Sequence, residues 1–460
     1  MRWQSGFLVS AALVLGACTM IPKYNRPSAP IPPSFPDTGV TEDASVATDL
    51  PWQEFFTDES QRAVIEQALA NNHDLRIATL NVDKVRALYR IQRAQLYPTL
   101  GAQASVERQR VPGRDEEDAQ TSTLYTVASG VSAWELDLFG RVRSLRAAAL
   151  QLYFASEQAR RSAQVALVAA VAQTYLALAA DSEGLRLSQA TLEAQQASLT
   201  LIQKSRDLGV ASDLELSQIK SQVEAARADV ARYAALLAVD KNTLEVLVGA
   251  PVSPELLPDR LSTVSAPHPI SAGVSSEVLL RRPDILAAEH QLRSANANIG
   301  AARAAFFPRI SLTIGVGSVS AELSELLGSG TGTWSFAPQI TAPIFAGGAI
   351  KAGLDASKVE REIAVARYEK AIQQAFAEVS NALTLRSTLV EQREAQEALV
   401  EALEGTHSLS DARYKAGIDS YLGVLVAQRA LFAAQQALVG VRLAEQANLI
   451  TLYKVLGGGL

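Results

Sequence analysis

Between Arg309 and Val319 the chain reads RISLTIGVGSV, and its side chains alternate: Ile310, Leu312, Ile314 and Val316 to one side, Ser311, Thr313, Gly315 and Gly317 to the other. That period of two predicts a β-strand of about ten residues, the length of an outer-membrane barrel strand. Similar runs are TLGAQASVERQ (99–109), YTVASGVSAW (125–134) and WSFAPQITAPIF (334–345). The first two predict a hairpin around the acidic loop VPGRDEEDAQTS. Almost everything else has helical character. A helix is expected from about Asp58 to Tyr97, where Pro98 stops it. After Gly140 there is no proline until Pro251, and Ala, Leu, Gln, Glu and Arg dominate. One break is expected at Leu208-Gly209-Val210, after which Ser212 and Asp213 cap a helix running to about Val248.

The second half repeats the first. NNHDLRIAT (71–79) aligns with RRPDILAAE (281–289), and Tyr97-Pro98 with Phe307-Pro308. LGVASDL (208–214) aligns with AGIDSYL (416–422), and VLVG (246–249) with VLGG (455–458). These anchors predict a duplicated helix-hairpin-helix-turn-helix unit, residues 58–250 and 276–460, joined by a linker at 251–275. Ser162–Ala180 is long and uncharged enough for a membrane span, but its alanine content and charged flanks favour a packed helix.

Each unit carries two strands, and four strands cannot close a barrel. An open sheet in lipid leaves backbone groups unpaired at several kcal/mol each, so further copies must complete it. Two copies give eight strands and a filled interior; three give twelve, with room for a lumen. The set Ser311, Thr313, Gly315, Gly317, Ser335, Gln339 and Thr341 suits a watery lumen, and Trp334, Phe336 and Ile340 suit lipid. The helices are too long and charged to share that membrane and are expected in the periplasm, about 100 Å deep at 1.5 Å per residue.

Composition mostly excludes. A net charge of −6 gives no basic field for nucleic acid. The four histidines are scattered, no nucleophile elbow or phosphate loop is present, and GVG at 315–317 lies inside a strand. No enzyme, cofactor or metal is expected. The one cysteine, Cys18, adds more. It follows Arg2, an apolar run from Phe7 to Leu15, and Gly16-Ala17. This predicts a signal peptide over 1–17, and Leu15–Cys18 resembles the bacterial lipobox, which implies acylation of Cys18. Thr19 is not acidic, which directs such a lipoprotein to the outer membrane. Residues 18–57 then form an anchored arm, proline-rich over 22–36.

LLRRPDILAAEHQLRSANANIGAARAAFFPRISLT (279–313) resembles the signature of the TolC-type outer-membrane factors, in their lipoprotein subfamily with OprM and NodT. PWQEFFTDESQRAVIEQALANNHDLRIAT, WELDLFGR (134–141) and RYKAGIDSYLGVLVAQRALF (413–432) resemble the same family, and the likeness covers essentially 18–460. It implies a mainly α protein with a membrane β-barrel: a homotrimer whose twelve-stranded outer-membrane barrel is continuous with a long periplasmic α-helical barrel. It implies the passive exit duct of a tripartite efflux pump exporting small molecules. The partners are a periplasmic adaptor and an inner-membrane transporter of the RND type. The competing expectations are the exit duct of a type I protein secretion system and a non-conducting structural envelope lipoprotein.

The resemblance also assigns sites. The turns become periplasmic tips, with Leu208, Gly209, Ser212, Asp213, Gly417 and Ser420 expected to meet the adaptor. Tyr414 and Glu215 are expected to tie inner and outer helices in a closed gate. The resemblance implies that some relatives carry acidic residues where this chain has Gly423 and Val426. Leu422 and Val426 share a helix face, so symmetry would form apolar rings, with a cationic ring at Arg429. The RRPD segment is expected to be a fold determinant: Pro283 and Asp284 open a helix, and Arg281, Arg282 and Glu289 pair locally.

Overall fold

The structure, a computed structural model, describes residues 19–35, 45–46, 50–111, 120–271 and 275–458. The signal peptide, Cys18 and the tip of the acidic loop lie outside the described residues. The principal elements are α1 (Glu59–Asn71), α2 (His73–Ala94), β1 (Leu100–Val111), β2 (Gln120–Glu135), α3 (Arg141–Asp207) and α4 (Asp213–Val248). They continue with α5 (Pro283–Ala304), β3 (Arg309–Ser320), β4 (Gly332–Thr341), α6 (Ala349–Lys415) and α7 (Tyr421–Val455).

The expected helix over 58–97 is broken at Asn72. There ψ is 128°, and the side chain accepts from Leu75 N–H at 2.8 Å while its amide donates to Leu247 O at 2.8 Å. Asn72 thus ends one helix and caps the next. The other ends follow the expected chemistry. Ser212 and Glu215 form a full capping box on α4, and Gly249 at φ 76° ends it. An alanine at 249 would put its Cβ 2.6 Å from Asn71 O, so that position accepts only glycine on two counts.

The chain divides into two compact units. The first takes residues up to Ser28 with Asn81–Glu157 and Ala287–Glu369; the second takes Ala29–Leu80, Gln158–Leu286 and residues from Lys370 onward. The first holds the antiparallel sheet, in order β1-β2-β3-β4. In the second, Phe55 stacks on Tyr453 at 4.1 Å and meets Phe56 edge-on at 4.8 Å. Val64, Ile65, Val168, Val171, Tyr175, Leu176 and Ile450 are buried in the same unit. The apolar window of α3 is 61 % buried by packing. Each buried Val or Leu there contributes about 1.5–3 kcal/mol, which explains an uncharged helix that need not face lipid.

Candidate channel wall and helical tips

The sheet register sorts every strand residue onto one of two faces. Directly opposed pairs are Ile310–Ile340, Leu312–Pro338, Ile314–Phe336 and Val316–Trp334; between them lie Ser311–Gln339, Thr313–Ala337, Gly315–Ser335 and Gly317–Thr333. The neighbouring strands keep the same division: Val131 opposes Ile314 and Leu100, while Gly130 opposes Gly315 and Gly101. One face is therefore rich in aliphatic and aromatic groups and the other is built mainly of Gly, Ser, Thr, Ala and Gln. The apolar face is open, with Trp334 76 % exposed, Ile340 68 % and Phe336 61 %. So large an exposed apolar surface marks an interaction site rather than a water-facing one.

Two details shape this wall. A β-bulge lies between Val131 and Trp134, with Ala133 at φ 49° and its N–H donating to Thr313 Oγ1 at 3.1 Å. The extra residue returns Trp134 to the apolar face, opposite Leu312. Glycines let strands approach: a Cβ at Gly130 would stand 2.0 Å from Ile314 O, and one at Gly317 2.3 Å from Val127 O. At Gly101 the corresponding space is empty. Below the strands, Glu135 accepts from Arg141 at 2.9 and 2.7 Å and faces Arg309 at 3.4 Å. Beside it Asp137 accepts from Val142 and Arg143 N–H, capping the start of α3.

In the second unit, α3 turns into α4 and α6 into α7 by the same device. Gly209 (φ 75°) and Gly417 (φ 72°) adopt the left-handed conformation. Val210 N–H donates to Ser205 O and Gly209 N–H to Arg206 O; Ile418 and Gly417 do the same to Arg413 O and Tyr414 O. Both turns are Schellman motifs. Each is also clasped by an ion pair that sequence reading missed: Arg206–Asp213 at 2.9 Å and Arg413–Asp419 at 2.5 Å. Arg413 holds the Asp419 carboxyl below its ordinary pKa. An arginine followed six or seven residues later by an aspartate, across a glycine turn, was the available signal.

The predicted adaptor residues Leu208, Gly209, Ser212, Asp213, Gly417 and Ser420 are all exposed at these turns. Behind them Ile202, Ile219, Tyr421, Val424 and Leu425 form a buried cluster, with Tyr414 packed against it and its ring 5.0 Å from that of Tyr421. Burying Tyr421, Val424 and Leu425 turns Leu422, Gly423, Val426 and Arg429 outward, so the predicted gate residues of α7 share one exposed face. Glu215 uses its carboxylate in the capping box, accepting from Ser212 N–H at 2.7 Å. Burial first, and then the Glu215 charge, raise the Tyr414 hydroxyl pKa.

The RRPD segment opens α5 as expected, but its pairing differs. The Arg282 guanidinium, nearly buried, donates to Asp284 at 3.0 and 2.7 Å, to Glu378 at 2.9 Å and to the Val455 carbonyl at 2.6 Å. It therefore caps the end of α7 from far along the chain. Glu289 accepts instead from Arg293, Arg26 and Tyr24, because burial on α5 brings the N-terminal arm rather than Arg282 to it. Among the described residues, no group of three or more His, Cys, Asp or Glu side chains is placed to hold a metal ion.

Comparison with known proteins gives a consistent result. The family model "Outer membrane efflux protein" matches the chain twice, over residues 64–250 and 274–458. The toluene efflux pump outer membrane protein TtgC and the antibiotic efflux pump outer membrane protein ArpC, both of Pseudomonas putida, are 47 % identical over 458 residues, covering 98 % of this chain and 95 % of each relative. Among solved structures, the open state of the Neisseria gonorrhoeae MtrE outer membrane channel aligns with TM-score 0.89 at 40 % identity, covering 96 % of this chain and 99 % of that one.

Proposed function

Because the chain belongs to the outer membrane efflux protein family, we propose that it is the passive exit duct of a tripartite pump exporting small molecules. It is the outer-membrane component of an efflux pump. The observation that carries the rest is the two-faced sheet with two unpaired edges. β1 and β4 each have a neighbour on one side only, and every residue of β4 is exposed. In a bilayer such edges cost several kcal/mol per unpaired group, so the sheet must be closed by further copies. Three copies give a twelve-stranded barrel with Trp334, Phe336 and Ile340 toward lipid and Thr313, Gly315 and Ser335 toward water.

In this reading the two halves, 58–250 and 276–460 about a linker at 251–275, are a duplicated unit, and the helices form a periplasmic barrel. Each 67-residue helix, α3 and α6, would span about 100 Å. The exposed glycine turns suit an adaptor, and the adaptor an inner-membrane transporter of the RND type. Acylation at Cys18 holds the arm (18–57) to the outer membrane after removal of 1–17. The exposed stripe Leu422–Val426–Arg429 suits a constriction closed by apolar contact and dewetting, with a cationic ring beside it. The toluene and antibiotic pumps to which the relatives belong favour small molecules over secreted proteins as cargo.

The test is complementation. In a strain lacking its own exit duct but retaining adaptor and transporter, the chain should lower intracellular accumulation of a dye substrate. Unchanged accumulation with several cognate pairs, despite normal outer-membrane levels, would reject the efflux reading.

A further inference from the structure

In the first unit the described start of the arm lies along one stripe of α5. Contacts recur at residues 289, 293, 296, 300 and 303, spaced alternately four and three. That spacing is one face of a helix. At the end nearest β3, Arg303 donates to Met20 O at 3.3 Å and Asn296 donates to Pro22 O at 2.9 Å. Between them Ile21 lies over Gly300, where a Cβ would come within 2.8 Å of Ile21 Cγ1. These three contacts read main chain or shape and would accept many sequences.

Glu289 is different. It is only 3 % exposed. Its Oε1 accepts from Tyr24 Oη at 3.1 Å, from Arg26 Nε at 3.1 Å and from Arg293 Nη2 at 2.7 Å, and its Oε2 accepts from Arg26 Nη2 at 2.5 Å. Arg293 also stacks over the Tyr24 ring at 4.9 Å. Two arginines pair with one buried carboxylate and a tyrosine hydroxyl hydrogen-bonds it, and the arm supplies one arginine and the tyrosine.

We propose that the α5 stripe is the docking site of the N-terminal arm and that Glu289 is its register-setting latch, selective for a Tyr-x-Arg segment. Glu289 acts as a positioning residue. With Tyr24 and Arg26 engaged, Met20 is held at Arg303, six residues before β3 begins at Arg309. Slippage of the arm by one residue would put Lys23 and Asn25, or Asn25 and Pro27, in place of Tyr24 and Arg26 and lose both side-chain partners of the latch. The latch does not depend on whether the chain conducts.

Trypsin reports on it directly. Lys23 is exposed within the docked segment, whereas Arg26 precedes Pro27 and resists cleavage. The full mature chain in detergent is digested, and loss of residues 18–23 is followed by mass spectrometry. The double variant Tyr24→Phe, Arg26→Ala touches the arm alone. It should be cut after Lys23 at least about tenfold faster than wild type, since cleavage follows the population of the undocked arm. Arg26→Lys, which keeps the charge without the fork, should restore part of the protection. Glu289→Gln should loosen the arm comparably. If the double variant keeps its wild-type assembly and melting but is cut at the wild-type rate, main-chain contacts alone hold the arm and the latch is refuted. If Glu289 variants fail to fold, the arm variant still decides.

Discussion

Arg282→Ala removes a guanidinium that joins the start of α5, the middle of α6 and the end of α7 in the second unit. The loss can be worked through partner by partner. Asp284 and Glu378 have side chains 42 % and 50 % exposed, so water takes over much of their solvation and each lost pair is discounted to about 1 kcal/mol or less. The Val455 carbonyl is different: Val455 is only 6 % exposed, and the 2.6 Å bond from Arg282 satisfies its carbonyl across the fold. Leaving it unpaired costs about 1–3 kcal/mol. Together the substitution should destabilise the chain by about 3 kcal/mol, or roughly 6–12 °C in unfolding midpoint for a unit of this size. Circular dichroism of the purified protein in detergent, at one fixed scan rate, measures it. Arg282→Lys should fall between, since an ammonium cannot span all three partners. A midpoint within 2 °C of wild type for the alanine variant would refute the assignment of Arg282 as the clasp of α7.

Gly130→Ala should abolish assembled protein in the outer membrane, because its Cβ would meet Ile314 O at 2.0 Å, whereas Gly101→Ser, facing empty space on the polar side, should assemble normally; a heat-modifiability gel separates the two outcomes. Asp181 has its pKa pushed up to about 6 by burial and by Asp240 nearby. A raised carboxyl pKa stabilises the fold below the unfolded value near 4, and that contribution is lost as pH rises through about 6. Asp181→Asn should therefore raise the unfolding midpoint at pH 8 and change it little at pH 4, and equal effects at both pH values would contradict the shared burial. Tyr414→Phe and Glu215→Gln should each raise channel conductance in planar bilayers if these residues help hold the gate closed; unchanged conductance counts against that tie.

Much of the fold was legible because its elements carry strong local signals. The alternation of RISLTIGVGSV ran on one residue further, to Ser320, and the expected face assignment agrees with the register against β4. Gly209 and Ser212 marked the end of one helix and the start of another because a positive φ and a hydroxyl cap are requirements of a few residue types. The break at Asn72 was missed: an asparagine inside a long helical pattern is ambiguous until Leu75 N–H and the Leu247 carbonyl supply its partners. The bulge at Ala133 was missed because it is a property of pairing with Thr313, not of the strand. The pairing of Arg282 with Val455 and of Glu289 with Arg26 joins residues far apart in sequence, and no local pattern specifies such partners. For the tips the glycines were readable, while the exposed face of α7 needed the buried cluster around Tyr421 to fix its rotation.

Single-channel recording of the purified protein in planar bilayers decides whether the assembled chain is a duct. A duct should give discrete conductance steps, and Val426→Asp, which adds a carboxylate to the exposed face of α7, should increase cation preference. No conductance under any opening condition, from protein that is folded and trimeric, would contradict the duct and leave a structural envelope lipoprotein.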